Sequence, residues 1–189
     1  MAKLPPLTGM ITEICWASLR SLLSQTSKIP GDVVELGCCA GRTSVRIALM
    51  IRNQNRILHV FDSFQGLPDA GEHDSLSVKK GACRATKKDL IRNFQQADLP
   101  LPIIHEGWFE QTLSAGLPQR ISFAFLDSDR YESILLSLNS VLPRLSPGGV
   151  MVIHDYTDPK RFPGVRKACE SVLGPLPAYP GGVGVWCAR

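Results

Sequence analysis

No apolar run in the 189 residues approaches the roughly 20 needed to cross a bilayer, and the opening MAKLPPL lacks the apolar stretch of an export signal. Neither a membrane nor a secreted protein is indicated. Cysteine is present but unpatterned: the six, at 15, 38, 39, 83, 169 and 187, make no CxxC and no zinc-like spacing. Free thiols in a reducing cytoplasm are the expected state. A surplus of one charge is missing too. The formal net charge is +4, and the basic pairs at 79–80, 87–88 and 160–161 are scattered, so no stripe for nucleic acid is formed. Internal repeats and low-complexity segments are absent. What remains, 189 residues at 44% hydrophobic, is enough for one domain with its own core and too little for two of ordinary size.

Apolar positions 10, 11, 14, 15, 22 and 23 follow a helical period across residues 8–27, which predicts an amphipathic helix in an N-terminal segment, 1–30. Beyond Pro30, strand-like and helical stretches alternate: strands at 32–36, 56–62, 101–106, 121–127 and 150–155, helices at 42–53, 85–97, 130–142 and 163–173. The strand runs are continuously apolar, as expected of strands covered on both faces. The tail LPAYPGGVGVWCAR places a Pro-Gly-Gly turn between two short strands, an antiparallel hairpin. The predicted fold is α/β: a Rossmann-like, doubly wound, mostly parallel seven-stranded sheet closed by a C-terminal antiparallel hairpin. Residues 63–84 are the one long stretch without periodicity and are read as a lid or substrate loop.

The stretch VVELGCCAGRTS carries a strand into a glycine turn and a helix, a place where backbone N–H groups face a ligand. Its spacing, Glu35, Gly37, Gly41, lacks GxGxxG, and no Lys-Ser or Lys-Thr pair follows it. Pyrophosphate is disfavoured, and with it a nicotinamide-dependent oxidoreductase. Glu35 repels a phosphate and attracts an ammonium or sulfonium ion. Asp62, 21 residues after Gly41 and at the end of the next strand, can accept both hydroxyls of a ribose. A ligand with a cation at one end and a ribose at the other is described by S-adenosylmethionine. The alternative keeps Glu35 as a helix cap and Gly41 as a packing glycine.

Asp127 ends one strand, with Asp129 close behind, and His154-Asp155 ends the next. Neighbouring parallel strands lie under about 5 Å apart, so Asp127, His154 and Asp155 can share one divalent ion. Otherwise Asp127 and Asp155 each cap the next helix, and His154 is a satisfied polar residue at a strand end. An ion there would ease loss of an acceptor hydroxyl's proton. Trp108 either stacks on an adenine or, with Phe109, opens a short helix. Cys38 and Cys39 read as small fillers of the turn, and Arg42 as a helix-face cation within reach of a carboxylate.

In order and spacing, GDVVELGCCAGRTS, VFDSFQGLP, EGWFEQTL, FLDSDRYES, LPRLSPGGVMVIHDY and GVRKA resemble the macrocin O-methyltransferase family, the TylF-type enzymes, from about Gly31 onward. The resemblance implies an S-adenosylmethionine-dependent, divalent-metal-assisted O-methyltransferase of natural-product biosynthesis acting on a small-molecule hydroxyl, sugar-like or otherwise. It places Glu35, Gly37, Cys38 and Thr43 at the methionine part, Asp62 and Ser63 at the ribose, Gly107 and Trp108 near the adenine, and Asp127, His154 and Asp155 at the metal. The family's usual ion is magnesium. Here His154 replaces an acid, which tilts the choice toward manganese or another transition ion. By its place in the loop, His73, in AGEHDS, is the nearest candidate for the lid histidine that serves the family as general base, beside Asp127 as a catalytic group; the alternative is a solvent-exposed loop histidine. The chain is shorter than the family's usual length. No nucleic-acid or membrane partner is expected, a homodimer is left open, and the rival reading is a cofactor-binding partner protein without transferase activity.

Overall fold

The run Asp32–Leu36 (β1) is fully buried from Val33 on because helices cover both of its faces. The computed structural model describes residues 11–189. After α1 (Glu13–Gln25) and β1 come α2 (Arg42–Ile51), β2 (Leu58–Asp62), α3 (Lys87–Gln96), β3 (Ile103–Glu106), α4 (Phe109–Gly116), β4 (Ile121–Leu126), α5 (Tyr131–Val141), β5 (Leu145–Ile153), α6 (Pro163–Leu173), β6 (Ala178–Tyr179) and β7 (Val183–Cys187). The seven strands form one sheet in the order β3-β2-β1-β4-β5-β7-β6. The first five run parallel, and β7 pairs antiparallel with both β5 and β6, as the tail predicts. The strand order reverses between β1 and β4, and the crevice above their carboxyl ends is where this architecture receives ligands.

Alternation along the strands sorts the core into two layers. Val33, Val60, Phe123, Phe125 and Val152 face α1, α2 and α3, whereas Val34, Phe61, Ala124, Leu126 and Met151 face α4, α5 and α6. Element ends differ from the periodicity where local chemistry intervenes. Thr12 caps α1, its Oγ1 accepting from Cys15 N at 3.1 Å, so the helix begins at Glu13; the expected residues 8–10 lie outside the described ones. Thr86 and Asp89 make a reciprocal capping box that starts α3 at Lys87 rather than 85. Pro100 and Pro102 have no N–H for a ladder, and β3 starts at Ile103. β5 ends at Ile153, which leaves His154 and Asp155 beyond the strand, facing the crevice end, rather than inside it. Residues 63–84 contain neither helix nor strand, in keeping with the expected loop.

Candidate active site

The chain leaves β1 through Gly37, at φ +90°, whose N–H donates to Phe61 O across 2.8 Å. Cys39 follows at φ +48°, a left-handed conformation that costs a side-chain-bearing residue about 1–2 kcal/mol, and Gly41 at φ +72° turns the backbone into α2. The turn is held from below by Asp62. One of its carboxylate oxygens accepts from Cys39 N and the other from Phe64 N, each at 2.7 Å. Each oxygen keeps a lone pair, so two vicinal hydroxyls can still be received. Burial pushes the Asp62 carboxyl up in spite of these donors.

Glu35 corrects one expectation. It is not a bare carboxylate at a strand tip: it is 1% exposed and accepts a hydrogen bond from the Ser44 hydroxyl of α2. Burial pushes it up to about 8, so the acid is largely neutral at pH 7 until a cation arrives. The unfolded chain ionises near the ordinary 4.5, and the stability contributed by keeping Glu35 protonated is complete below that value and is lost as pH rises toward 8. Glu35→Gln, which keeps an acceptor for Ser44, removes this dependence. Its urea-unfolding stability relative to the parent is expected to grow by up to about 1.4 kcal/mol per pH unit between pH 5 and pH 8. A constant difference over that window would show that Glu35 is ionised in the folded protein.

Glu35, Gly37, Cys38, Thr43, Asp62, Ser63, Gly107, Trp108 and Asp127 all line one cavity of about 350 Å³. The residues that the resemblance assigns to the cofactor thus converge from three loops on one space. Trp108 caps α4 and Phe109 opens it, as the short-helix reading expects, and both line the cavity. Arg42 lines it too, and Gly66, Leu67, Pro68 and Cys83 add a wall from the long loop. Only these four residues of 63–84, with Ser63, line the cavity.

Asp127, His154 and Asp155 each offer a ligand atom within 4.8 Å of the other two. His154 Nδ1 lies 2.8 Å from Asp127 Oδ1 and 3.3 Å from Asp155 Oδ2. Burial alone would lower His154, but Asp127 and then Asp155 outweigh it and hold the imidazole protonated far above its ordinary range. Asp129, at φ +62°, lines the same cavity and hydrogen-bonds Asp155; burial first, then the charges of Asp127 and Asp155, keeps it protonated. Acids crowded this closely, checked only by protons, have the donor set and the negative charge that a divalent cation would satisfy, so the residues fit such an ion. A nitrogen ligand among oxygens suits a transition ion better than magnesium.

His73 is not brought to the cavity. Lys167 Nζ approaches its Nδ1 to 2.9 Å, and its ring stands edge-on to Tyr131 at 4.4 Å, on the outer side of the loop. The side chain of Asp74 accepts from Tyr131 N at 2.9 Å, which turns this part of the loop away from the crevice. Asp129, visible in LDSD but given no role from the sequence, occupies the cavity wall instead.

The model of the macrocin-O-methyltransferase (TylF) family matches residues 8–172. The 8-demethyl-8-(2,3-dimethoxy-alpha-L-rhamnosyl)-tetracenomycin-C 4'-O-methyltransferase of Streptomyces olivaceus is 33% identical over 141 residues, covering 68% of this chain and 54% of that protein. The demethyldecarbamoylnovobiocin O-methyltransferase of Streptomyces niveus is 30% identical over 142 residues, covering 69% and 54%. The chain therefore spans about half the length of the curated relatives it matches. Among solved structures, the O-methyltransferase NovP superposes with a TM-score of 0.79 at 24% identity, over 92% of this chain and 78% of NovP, which supports the fold. With the match running through the glycine turn, Asp62 and the paired acids alike, the chain belongs to the TylF macrocin-O-methyltransferase family.

Proposed function

We propose that this protein transfers a methyl group from S-adenosylmethionine to a hydroxyl of a small natural-product acceptor, sugar-like as in the named relatives, with a divalent ion held by Asp127, His154 and Asp155. The observation that carries the reading is the single cavity in which Glu35, Asp62 and Trp108 stand on one side and Asp127 and Asp129 on another. Glu35 meets the cationic end of the cofactor and Asp62 its ribose. When bound, the ion would lower the pKa of the acceptor hydroxyl and fix its oxygen. The oxygen attacks the methyl carbon in line, the sulfur–carbon bond breaks, and S-adenosylhomocysteine leaves. Asp129, on the cavity wall and outside the ligand trio, is held protonated by burial and its acid neighbours, so it would receive the hydroxyl proton only once the charge of a bound ion had ionised it; His73 does not line the cavity. Holding both reactants in one small enclosure supplies a large part of the acceleration.

A second reading, a cofactor-binding partner protein without transferase activity, is favoured by one observation. Protonated His154 bridges Asp127 and Asp155 and by itself neutralises part of their charge. Calorimetry separates the two. Under the enzyme reading, S-adenosylhomocysteine binds in the micromolar range and manganese binds only while Asp127, His154 and Asp155 are all present. Cofactor binding with no metal binding at any pH between 6 and 9 would favour the second reading, and no cofactor binding would sink both.

A further inference from the structure

The long loop, 63–84, contains no regular structure, yet it is fastened at two levels. At its neck, Leu67 N donates to Ala82 O and Gly81 N to Leu67 O, both at 2.9 Å. Gly66 lies so close that a Cβ there would come within 2.5 Å of Gly81 O. The Cys39 thiol of the glycine turn donates to Cys83 O at 3.1 Å. At its tip the fastening comes from the start of α5. Arg130 is only 2% exposed and spends its guanidinium on backbone carbonyls, Nη1 to Ser75 O at 3.3 Å and Nη2 to Val78 O at 2.7 Å. Asp74 accepts from Tyr131 N and from Gly71 N, each at 2.9 Å, and its carboxylate presses on Gly164 of α6.

Taking a guanidinium out of water is expensive, and the cost is recovered only where its bonds order something. Here they order the segment between the two halves of the neck, and the neck is what supplies Gly66, Leu67, Pro68 and Cys83 to the cavity. Arg130 also directly follows Asp129, so the backbone that presents Asp129 to the cavity is pinned by the same residue that pins the wall. Segments that open on ligand binding have few buried contacts and backbone bonds exposed to solvent. Residues 71–82 bury no side chain of their own, Leu76 being 83% exposed, so the bonds from Arg130 and Asp74, and not core packing, are what hold the tip.

We propose that Arg130, assisted by Asp74, is a positioning residue that clamps residues 71–82 and through them holds the neck, Gly66 to Pro68 and Cys83, as a fixed wall of the cofactor and acceptor cavity, in place of a lid that closes on binding. The inference rests on the cofactor reading above for its consequence and on the loop itself for its existence. The clamp acts through the neck and through Asp129; Arg130 itself does not line the cavity.

Amide hydrogen exchange of the full chain, read with and without S-adenosylhomocysteine, tests it alongside calorimetry. In the parent protein the hydrogen-bonded amides of Gly71, Asp74, Gly81 and Ala82 are expected to be protected before ligand is added and to change little afterwards. Arg130→Met leaves two carbonyls without donors, and exchange at these amides is expected to quicken by about 10-fold to 100-fold. S-adenosylhomocysteine affinity is expected to fall about 10-fold by the same loosening of the neck. Arg130→Lys, one donor centre in place of a fork, is expected to restore part of both. Should Arg130→Met not fold, Asp74→Asn removes the carboxylate that holds Tyr131 N and Gly71 N and is expected to act in the same direction. Exchange at those amides as fast in the parent as in the variant, or protection that appears only with ligand, overturns the clamp. If the parent binds no S-adenosylhomocysteine, the cofactor reading fails, and the exchange comparison still decides the clamp.

Discussion

Asp155→Asn is expected to lower methyl transfer by at least about 100-fold while S-adenosylhomocysteine binds within about threefold of the parent affinity. The separation follows from placement. Asp155 touches His154 and Asp129 but, like His154, is outside the lining of the cavity that takes Glu35 and Asp62. Asparagine is the informative replacement because residue 155 sits at φ +56°, which asparagine tolerates and alanine does not, so charge is removed without new backbone strain. Transfer is followed by mass spectrometry against a panel of deoxysugar glycosides, and binding by calorimetry. Metal binding in the parent is expected to strengthen as pH rises and to release a proton, since a ligating Nδ1 must give up the proton it shares with Asp127. Calorimetry in buffers of different ionisation heat reads that proton directly. Full activity of Asp155→Asn in the presence of a chelator would remove the metal from the mechanism.

The fold was readable wherever burial on both faces forced a continuous apolar run. The stretches DVVEL and ISFAFL announce β1 and β4 because no polar residue can face a covering helix without a partner. The same logic exposed the site: in Glu35, Asp62, Asp127 and Asp155, acids stand at or just past the carboxyl ends of such runs. α4 was less legible, since eight residues with Leu113 as its one buried side chain offer too little period to register. The early start of β5 was hidden by Ser146-Pro147-Gly148-Gly149, which reads as a turn. In the fold it pairs with the tail, Gly148 N donating to Ala188 O at 3.0 Å and Ala188 N to Gly149 O at 2.9 Å. The charge state of Glu35 depends on its burial once the layers have packed, against which the Ser44 hydrogen bond works, and the placement of His73 depends on Tyr131 and Lys167, far along the chain. A local pattern carries no information about either.

Gly37→Ala is expected to destabilise the protein by about 3 kcal/mol or more, with the midpoint of urea unfolding falling accordingly. Two costs combine at this residue. Its φ of +90° is strained for any side-chain-bearing residue, and a Cβ there would stand 2.0 Å from Asp127 O, a backbone atom that cannot rotate away. Gly174 separates the two, because it has φ +74° and ψ −174° with nothing within 4 Å of an added Cβ, so Gly174→Ala incurs only the conformational cost of about 1–3 kcal/mol. The excess of the first variant over the second measures how tightly the glycine turn abuts the β4 exit. That contact has a functional meaning. Asp127 N donates to Leu36 O at 2.8 Å, so the glycine turn and Asp127 share one backbone junction. Displacing Asp127 by even part of the overlap shifts a group that must hold its geometry to a few tenths of an ångström, so any Gly37→Ala protein that folds is expected to lose transfer activity along with cofactor affinity. Equal unfolding midpoints for the two alanine variants would mean that the junction yields, and that the close approach of β1 and β4 is not what fixes Asp127.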